Sequence, residues 1–161
     1  TFDHPFMTAR PSNIFGPNDN FEPLTSHCLP ALMRSIHKAK LAGKDQVTLW
    51  GSGTPLREFL HVDDLADALI HLLRFSDRLE PVNIGTGDEV SIGELARIIA
   101  KVVGFEGRLE HDLSKPDGTP RKLLDTTHMR ALGWRPRIDL SDGIREVYRN
   151  WLLEQARYAA A

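Results

Sequence analysis

A glycine loop followed by an arginine is the part of the sequence best suited to hold an anionic ligand. Gly51 and Gly53 allow backbone conformations and close approaches that other residues cannot make. Arg57 follows them with a planar fork of donors that matches a diphosphate, and Trp50 precedes them with a flat aromatic face that can stack on a base. The alternatives are a hairpin turn with a solvated arginine and a tryptophan buried in a core strand.

His27 is the candidate for proton transfer. The unperturbed pKa of a histidine, about 6.5, lies near neutral pH, which suits a general acid or base. The alternative is a histidine that caps the helix predicted to start at Pro30. Cys28 comes directly after His27, but the side chains of adjacent residues seldom point toward one centre, so we do not assign Cys28 a catalytic role.

Three further residues, His61, Asp63 and Asp64, lie close enough in sequence to suggest metal ligands. Asp63 is, however, already explained as the cap of the next helix, and no other His or Cys has a matching spacing. The sequence therefore predicts no metal site. It also contains no nucleophile elbow and no Ser-His-Asp order.

Strands and helices alternate along the chain, which indicates an α/β fold that places the candidate residues in connecting loops. Short runs of β-forming residues predict strands at residues 6–10, 47–50, 81–84 and 108–111. The first strand leads into a loop from Asn13 to Gly16, and the second ends at the glycine loop.

Helices are predicted where apolar residues recur at helical spacing. The clearest runs from Ile92 to Val103, opened by a capping box of Ser91 and Glu94 and ended by Gly104. Other helices are expected to begin near Pro30, Asp63, Asp125, and Ser141 or Asp142. The helix after Asp63 is expected to pack in the core through Leu65, Ala66, Leu69, Leu72 and Leu73.

The composition argues against several classes of function. The 161 residues, with 41% hydrophobic and 26% charged side chains, fit one globular domain. A formal net charge of -2 gives no electrostatic footprint for nucleic acid or a membrane surface, and no apolar run approaches transmembrane length. A single cysteine cannot form an internal disulfide, which favours a reducing cytoplasm.

Three motifs resemble the extended short-chain dehydrogenase/reductase family, and within it the GDP-L-fucose synthase branch. Residues 50–69, WGSGTPLREFLHVDDLADAL, match the family's W-G-x-G-x-x-x-R-E-F-x-H-V-D-D segment. Residues 10–21, RPSNIFGPNDNF, are similar to P-T-N-L-Y-G-P-x-D-N-F. Residues 114–125, SKPDGTPRKLLD, are similar to S-K-P-D-G-T-P-R-K-L-x-D. The resemblance extends from about Arg10 to Trp151.

The resemblance implies an enzyme that epimerises GDP-4-keto-6-deoxy-D-mannose at C3 and C5 and reduces the C4 ketone with NADPH, giving GDP-L-fucose. It implies that His27 is an acid in the epimerisation and also contacts NADP. By the same resemblance, the nicotinamide end of NADP and the sugar meet Asn13, Ile14, Phe15 and Gly16. The GDP-sugar is expected at Asn13, Trp50, Arg57, Asp117, Lys122, and Arg34 or Ser35. At Ser35 the family usually has a basic residue, which Arg34 replaces imperfectly.

A complete relative is expected to carry a G-x-x-G-x-x-G turn and a Tyr-x-x-x-Lys pair, and this sequence has neither. Residues 1–161 are therefore expected to be the C-terminal, sugar-nucleotide-binding part of such an enzyme. Two segments, about 5–17 and 81–88, are expected to belong to a Rossmann sheet whose N-terminal half is absent. By the same resemblance, the strands at 47–50 and 108–111 are expected to belong to a small sheet in the substrate-binding part. By itself the chain is expected neither to reduce a keto-sugar nor to bind NADP tightly, and to be marginally stable or self-associating.

Two alternatives stay open. One is another nucleotide-sugar epimerase or dehydratase of the same superfamily, against which the motif at residues 114–125 argues. The other is a non-catalytic module that binds sugar nucleotides, which the absence of the Tyr-x-x-x-Lys pair favours. The complete enzyme is expected to be a cytoplasmic homodimer that binds neither nucleic acid nor a membrane.

Overall fold

Short strands alternate with helices along residues 6–76 and 80–159, the part of the chain that the computed structural model describes. The helices are α1 (Cys28–Leu41), α2 (Val62–Phe75), α3 (Ile92–Val103), α4 (Thr127–Ala131) and α5 (Leu140–Ala159). The strands are β1 (Ala9–Pro11), β2 (Asn13–Phe15), β3 (Gln46–Trp50), β4 (Leu56–Arg57), β5 (Phe59–His61), β6 (Val82–Ile84), β7 (Val90–Ser91), β8 (Arg108–Asp112) and β9 (Arg121–Lys122). The predicted α/β class is confirmed. Within the described ranges no helix combines the length and apolar character needed to span a membrane.

The strands pair mostly in parallel. β1 pairs with β6, β2 with β5, and β3 with β8, while β4 lies between antiparallel β7 and parallel β9. The β3–β8 pair confirms that the predicted strands at 47–50 and 108–111 share a small sheet. The β1–β6 pair joins the two segments expected to belong to a larger sheet, so these strands are partners of each other. Residue 5, where the first segment was expected to start, lies outside the described residues.

The region before the first helix contains more strand than predicted. The strand expected at residues 6–10 begins only at Ala9, and Asn13–Phe15, expected to be a loop, forms β2. The loop prediction was wrong because these three residues pair in register with Phe59–His61. A pairing partner more than forty positions away leaves no signal in the local pattern.

His61, not Asp63, caps α2. The helix begins at Val62, and Nδ1 of His61 accepts the backbone N–H of Asp63 at 3.3 Å. The prediction was wrong because β5 runs directly into the helix, so the cap is the last residue of the strand. Asp63 lies in the first turn, where its negative charge complements the helix dipole.

The buried face of α2 is narrower than predicted. Asp64, Ala68 and Leu72, spaced four residues apart, are its buried residues. The Asp64 carboxylate accepts the N–H groups of Arg137 and Ile138 at 2.9–3.1 Å, which satisfies its burial. Of the residues predicted to pack in the core, Leu65 is half-buried and Leu72 buried, whereas the following three are exposed: Ala66, Leu69 and Leu73.

The predicted bounds of α3 are confirmed, but the capping box predicted at its start is only half formed. Oγ of Ser91 accepts the N–H of Glu94 at 3.1 Å, and Gly104 ends the helix with a left-handed φ of 72°. The carboxylate of Glu94 pairs with Arg97 on the next turn.

We expect Ser91→Ala to lower the free energy of unfolding by about 1 kcal/mol, because the Glu94 N–H loses its acceptor. Urea denaturation followed by circular dichroism measures this loss. Ser35→Ala is the matched control, since Ser35 is exposed inside α1 and alanine has the higher helix propensity. Equal destabilisation by the two substitutions would contradict the capping role.

The last two helices begin close to the predicted positions. Asp125 accepts the N–H of Thr127, the first residue of α4, at 2.9 Å. Hydrogen bonds from the Thr127 hydroxyl and N–H lower the pKa of Asp125. α5 begins at Leu140, and Asp139 rather than Ser141 or Asp142 supplies the acceptor at its start, for the N–H of Ser141.

Two hydrophobic clusters hold these elements together. The larger joins α1, α3 and α5 to the β3–β8 pair, with its centre at Met33, Ile36, Leu95, Ile99 and Ile144. The smaller cluster joins α2 and α4 to β1, β2, β5 and β6. Its most buried residues include Leu60, Leu72, Ile84, Met129 and Trp134. The predicted division into a substrate-binding part and sheet segments stays a prediction, since the smaller cluster also contains residues of α2 and α4.

Candidate functional site

One cavity of about 530 Å³ brings the three motifs together. Six of the predicted site residues line it: Asn13, Ile14, His27, Trp50, Arg57 and Asp117. Residues that were not predicted also contribute to its wall, among them Ser12, Phe59, Pro116 and Gly118. The cavity therefore lies between segments that are distant in sequence and meet only in the fold.

Asp117 fastens the glycine loop to the third motif. Its Oδ1 accepts the N–H of Ser52 at 2.9 Å and its Oδ2 accepts the hydroxyl of Ser52 at 2.7 Å. Gly51 has a φ of 74°, and a Cβ added there would collide with the Asp117 carboxylate. Both carboxylate oxygens thus hold the loop, and the contact of Asp117 with a GDP-sugar stays a prediction.

Arg57 is anchored at one end of its guanidinium group. Nη1 donates to the carbonyl oxygens of Leu56 and Thr119, each at 2.7 Å. These bonds hold the side chain at the cavity wall. No described residue accepts a hydrogen bond from Nε or Nη2, so these donors are free to bind an anion.

Trp50 projects from the end of β3 into solvent. Its exposed fraction is 75%, so the alternative of a tryptophan buried in the core is wrong. Nζ of Lys115 lies 5.6 Å from the centre of its ring, a cation–π distance. The geometry fits an aromatic platform at the mouth of the cavity, and stacking of a base there stays a prediction.

His27 is exposed at the cavity wall, immediately before α1. It occupies the N-cap position, but its side chain makes no capping hydrogen bond. The imidazole therefore does not have the capping role that was its alternative explanation. Its acid role and its contact with NADP stay predictions.

Two titratable groups lie near His27. Cys28 is exposed at the surface, but the protein around its thiol removes enough water to raise the pKa of the thiol, and Arg57 opposes this rise. The thiol is therefore neutral near pH 7, which agrees with giving Cys28 no catalytic role. Burial also raises the pKa of Asp19, while the N–H of Asn20 and the charge of His27 lower it.

The four residues from Asn13 to Gly16 do not all face the cavity. Asn13 donates from Nδ2 to the carbonyl oxygen of Glu58 at 2.7 Å, and Ile14 lines the wall with it. The Phe15 ring is buried in the core, edge-on to His61. Gly16 is buried too, where a Cβ would collide with Val62. Neither Phe15 nor Gly16 lines the cavity, so the observed geometry does not place either residue in contact with a ligand there.

Arg34, Ser35 and Lys122 lie outside this cavity. Arg34 and Ser35 line a second cavity, where Arg34 donates to the carbonyl oxygen of Phe21 and so holds the loop before α1. Lys122 lines a third, beside Glu58. The contacts of these three residues with a GDP-sugar stay predictions. The cavity of Lys122 shares Ser12 and Asn13 with the first cavity, whereas the cavity of Arg34 and Ser35 shares no lining residue with it.

The arrangement gives no basis for a metal centre. Within the described ranges, no group of three or more His, Cys, Asp or Glu side chains is placed to hold a metal ion. Of the sequence candidates, His61 and Asp64 are engaged with backbone N–H groups.

Sequence reasoning missed Glu58, which is completely buried and whose carboxyl group contacts two other segments, at residues 86–87 and at Leu124. Its signal in the sequence was its fixed place in the R-E-F part of the first motif, between Arg57 and Phe59.

Known proteins with similar sequences are longer than this chain. It is 55% identical over 148 residues to GDP-L-fucose synthase 1 of Arabidopsis thaliana, covering 92% of this chain and 46% of that protein. It is 47% identical over 162 residues to GDP-L-fucose synthase of Escherichia coli (strain K12), covering 95% of this chain and 50% of the other. The chain thus spans about half the length of the curated relatives it matches.

Solved structures with the same fold include a GDP-L-fucose synthetase from Naegleria fowleri. It has a TM-score of 0.86 and 32% identity, over 94% of this chain and 47% of that one. A UDP-glucose 4-epimerase from Thermotoga maritima, at 21% identity and a TM-score of 0.79 over 92% of this chain and 46% of that one, shares the fold. These similarities confirm the extended short-chain dehydrogenase/reductase fold expected from the three motifs.

The model of the NAD dependent epimerase/dehydratase family matches residues 1–85, more than half of the chain. These residues include the segment with His27 and the glycine loop with Arg57. The chain belongs to the NAD dependent epimerase/dehydratase family.

Proposed function

We propose that this chain is the sugar-nucleotide-binding part of a GDP-L-fucose synthase. In the proposed reaction, GDP-4-keto-6-deoxy-D-mannose is epimerised at C3 and C5, and its C4 ketone is then reduced with NADPH to give GDP-L-fucose. The observation that carries the proposal is the single cavity lined by Trp50, Arg57 and His27. The identity of up to 55% with proteins named GDP-L-fucose synthase supports the choice of substrate.

Arg57 and Trp50 are suited to the nucleotide end of the substrate. The free guanidinium donors of Arg57 fit diphosphate oxygens, and its two bonds to carbonyl oxygens fix their direction. The exposed ring of Trp50 offers a surface for the base. The two hydrogen bonds from Ser52 to the Asp117 carboxylate keep the glycine loop between Trp50 and Arg57 in place. Binding thus uses a preformed wall, which limits the entropy lost when a ligand is held.

His27 is suited to proton transfer at the sugar. A carbonyl at C4 acidifies the C–H bonds at C3 and C5, so epimerisation needs a base on one face and an acid on the other. A base on one face takes the C–H proton, and on the opposite face the exposed imidazole can donate a proton to the carbanionic carbon and recover one from solvent. The neighbouring Cys28 thiol is held in its neutral form and is not required for this step.

Ser12 and Asn13, which line the same cavity as His27, fit the nicotinamide end of NADP. When bound, NADPH supplies the hydride for the C4 ketone. Ser12 Oγ is buried without a hydrogen-bond partner among the described residues, and Ser12 lines the cavity next to Asn13. An unpaired hydroxyl at this position can bond to a polar ligand group. The expectation that the chain alone neither binds NADP tightly nor reduces a keto-sugar stays a prediction.

The homodimeric state and the cytoplasmic location of the complete enzyme belong to the same proposal. The absence of a membrane-crossing helix among the described residues and the single cysteine are compatible with this location.

The nucleotide preference separates this proposal from its alternatives. We expect GDP to bind at least about tenfold more tightly than UDP, because a purine covers more of the Trp50 ring and base stacking is worth about 1–3 kcal/mol. Calorimetric titration with GDP, UDP and ADP measures it. Trp50→Ala should remove most of the difference between GDP and UDP, whereas Phe75→Ala, at an exposed ring outside the cavity, should not. Equal affinity for GDP and UDP would favour another nucleotide-sugar enzyme.

A non-catalytic module is the remaining alternative, and binding alone does not exclude it. It requires that the complete protein bind a GDP-sugar without exchanging the protons at C3 and C5, a question that substitution of His27 addresses.

A further inference from the structure

The carboxyl group of Glu58 is a completely buried junction between three parts of the chain. Its exposed fraction is 0%. Oε1 accepts the N–H of Gly87 at 2.7 Å and the hydroxyl of Thr86 at 3.4 Å, and Oε2 accepts the N–H of Leu124 at 3.2 Å. No cation pairs with it among the described residues, so its burial depends on these donors.

The backbone of neighbouring segments packs closely around this carboxyl group. Gly85 passes so close that a Cβ there would collide with the Glu58 carboxyl atoms. The two N–H donors come from segments 29 and 66 residues away along the chain. A single side chain thus fixes the position of the turn after β6 and of the residues after β9 relative to β4 and β5.

Two of the connected segments carry parts of the wall of the proposed substrate cavity. Arg57 and Phe59, on either side of Glu58, both line it. The backbone carbonyl oxygen of Glu58 accepts the Asn13 side-chain amide at 2.7 Å. Leu124 follows β9, which pairs with β4 through Arg57 and Lys122, and the loop before β9 supplies Pro116 and Gly118 to the wall.

We propose that Glu58 is the positioning residue of this cavity: through its buried contacts, it sets where Arg57 and Asn13 stand relative to the loop at residues 116–118. The inference rests on the proposed function for the identity of the ligand. The geometric part of the inference is independent of the proposed function, since every contact lies within the protein.

Glu58→Gln keeps the size of the side chain and removes one of the two acceptors. An amide has one oxygen, so its NH2 group must face either the N–H of Gly87 or that of Leu124. Two donors pointing at each other in a buried site separate, and the segment that moves carries part of the cavity wall. Affinity for a ligand should then fall among molecules that are still folded.

Asp64→Asn is the matched control. Asp64 is also a buried carboxylate that accepts backbone N–H groups, from Arg137 and Ile138. Unlike Glu58, it has no chain neighbour that lines the cavity, and neither of its partners lines it. Both substitutions should lower the free energy of unfolding, measured by urea denaturation. Only Glu58→Gln should weaken GDP binding, by about tenfold, in calorimetric titrations of the folded 161-residue chain. Equal affinities of Glu58→Gln and wild type, or an equal loss in Asp64→Asn, would overturn the proposal.

Two further measurements keep the test decisive. If Glu58→Gln does not fold, Gly85→Ala takes its place, since the new methyl group must displace the Glu58 carboxyl group; wild-type GDP affinity in that variant would contradict the positioning role. If wild type binds no GDP, the proposed function fails, and the inference is tested by amide hydrogen exchange. Exchange at Gly87, Leu124 and the Asn13 side chain should then accelerate in Glu58→Gln but not in Asp64→Asn, and unchanged exchange would overturn it.

Discussion

His27→Gln should slow epimerisation by about 100- to 10,000-fold, the range in which a positioned general acid contributes. Glutamine keeps much of the shape and polarity of histidine but does not deliver a proton near neutral pH. Because the imidazole makes no capping bond, the substitution should leave the helix and the ligand affinity nearly unchanged. A loss in the rate with little loss in binding indicates a group that acts in the transition state.

The experiment needs a complete enzyme. A chimera supplies one, in which this chain replaces the matching residues of the GDP-L-fucose synthase 1 of Arabidopsis thaliana, to which it is 55% identical over 148 residues. Incorporation of solvent deuterium at C3 and C5 measures epimerisation, and consumption of NADPH measures reduction. His128→Gln, in α4 and outside the cavity, is the control for a generic loss of a histidine. Unchanged deuterium incorporation in His27→Gln would end the assignment of an acid role.

Local signals in the sequence were sufficient where a structure is determined within a few residues. The cap at Ser91, the stop at Gly104 and the apolar spacing between them are all local, and α3 has the predicted bounds. The small sheet was predicted correctly because the resemblance, and not the strand pattern, supplied the pairing of β3 with β8.

The misplaced elements depend on distant partners. Asn13–Phe15 is a strand only because Phe59–His61 lies beside it. The exposed side of α2 is as apolar as its buried side, so helical spacing alone did not show which side packs. Asp64 was not predicted to be buried, because the N–H groups that satisfy the hydrogen bonding of its carboxylate belong to a segment more than seventy positions away.

The site residues divide in the same manner. Those in the motif around the glycine loop reach one cavity, since a short loop keeps Trp50 and Arg57 near each other. Lys122 was assigned by motif position, and Arg34 because the family usually has a basic residue at the next position; both line other cavities. Glu58 belongs to the motif around the glycine loop, but the motif does not show its role, because a single glutamate becomes a junction only after residues 86–87 and Leu124 fold against it.

The second large effect is expected for Arg57→Ala, which should weaken GDP binding by about 10- to 150-fold. Hydrogen bonds to charged groups contribute about 1.5–3 kcal/mol each, and 1.4 kcal/mol is tenfold in affinity. Part of the loss will come from the wall itself, because Nη1 also holds the carbonyl oxygens of Leu56 and Thr119. Calorimetric titration with GDP measures the whole effect.

Arg57→Lys separates the two contributions, because lysine keeps the charge but not the planar fork. If the fork on the diphosphate dominates, Arg57→Lys should recover only a small part of the affinity lost in Arg57→Ala, and that part should shrink as salt is raised. If holding the wall dominates, both variants should loosen the loop equally, with faster amide exchange near Thr119. Arg145→Ala is the control, since its exposed guanidinium pairs with Asp142 on α5, outside the cavity. An affinity for GDP that is the same in Arg57→Ala, Arg145→Ala and wild type would mean that the cavity does not bind a diphosphate.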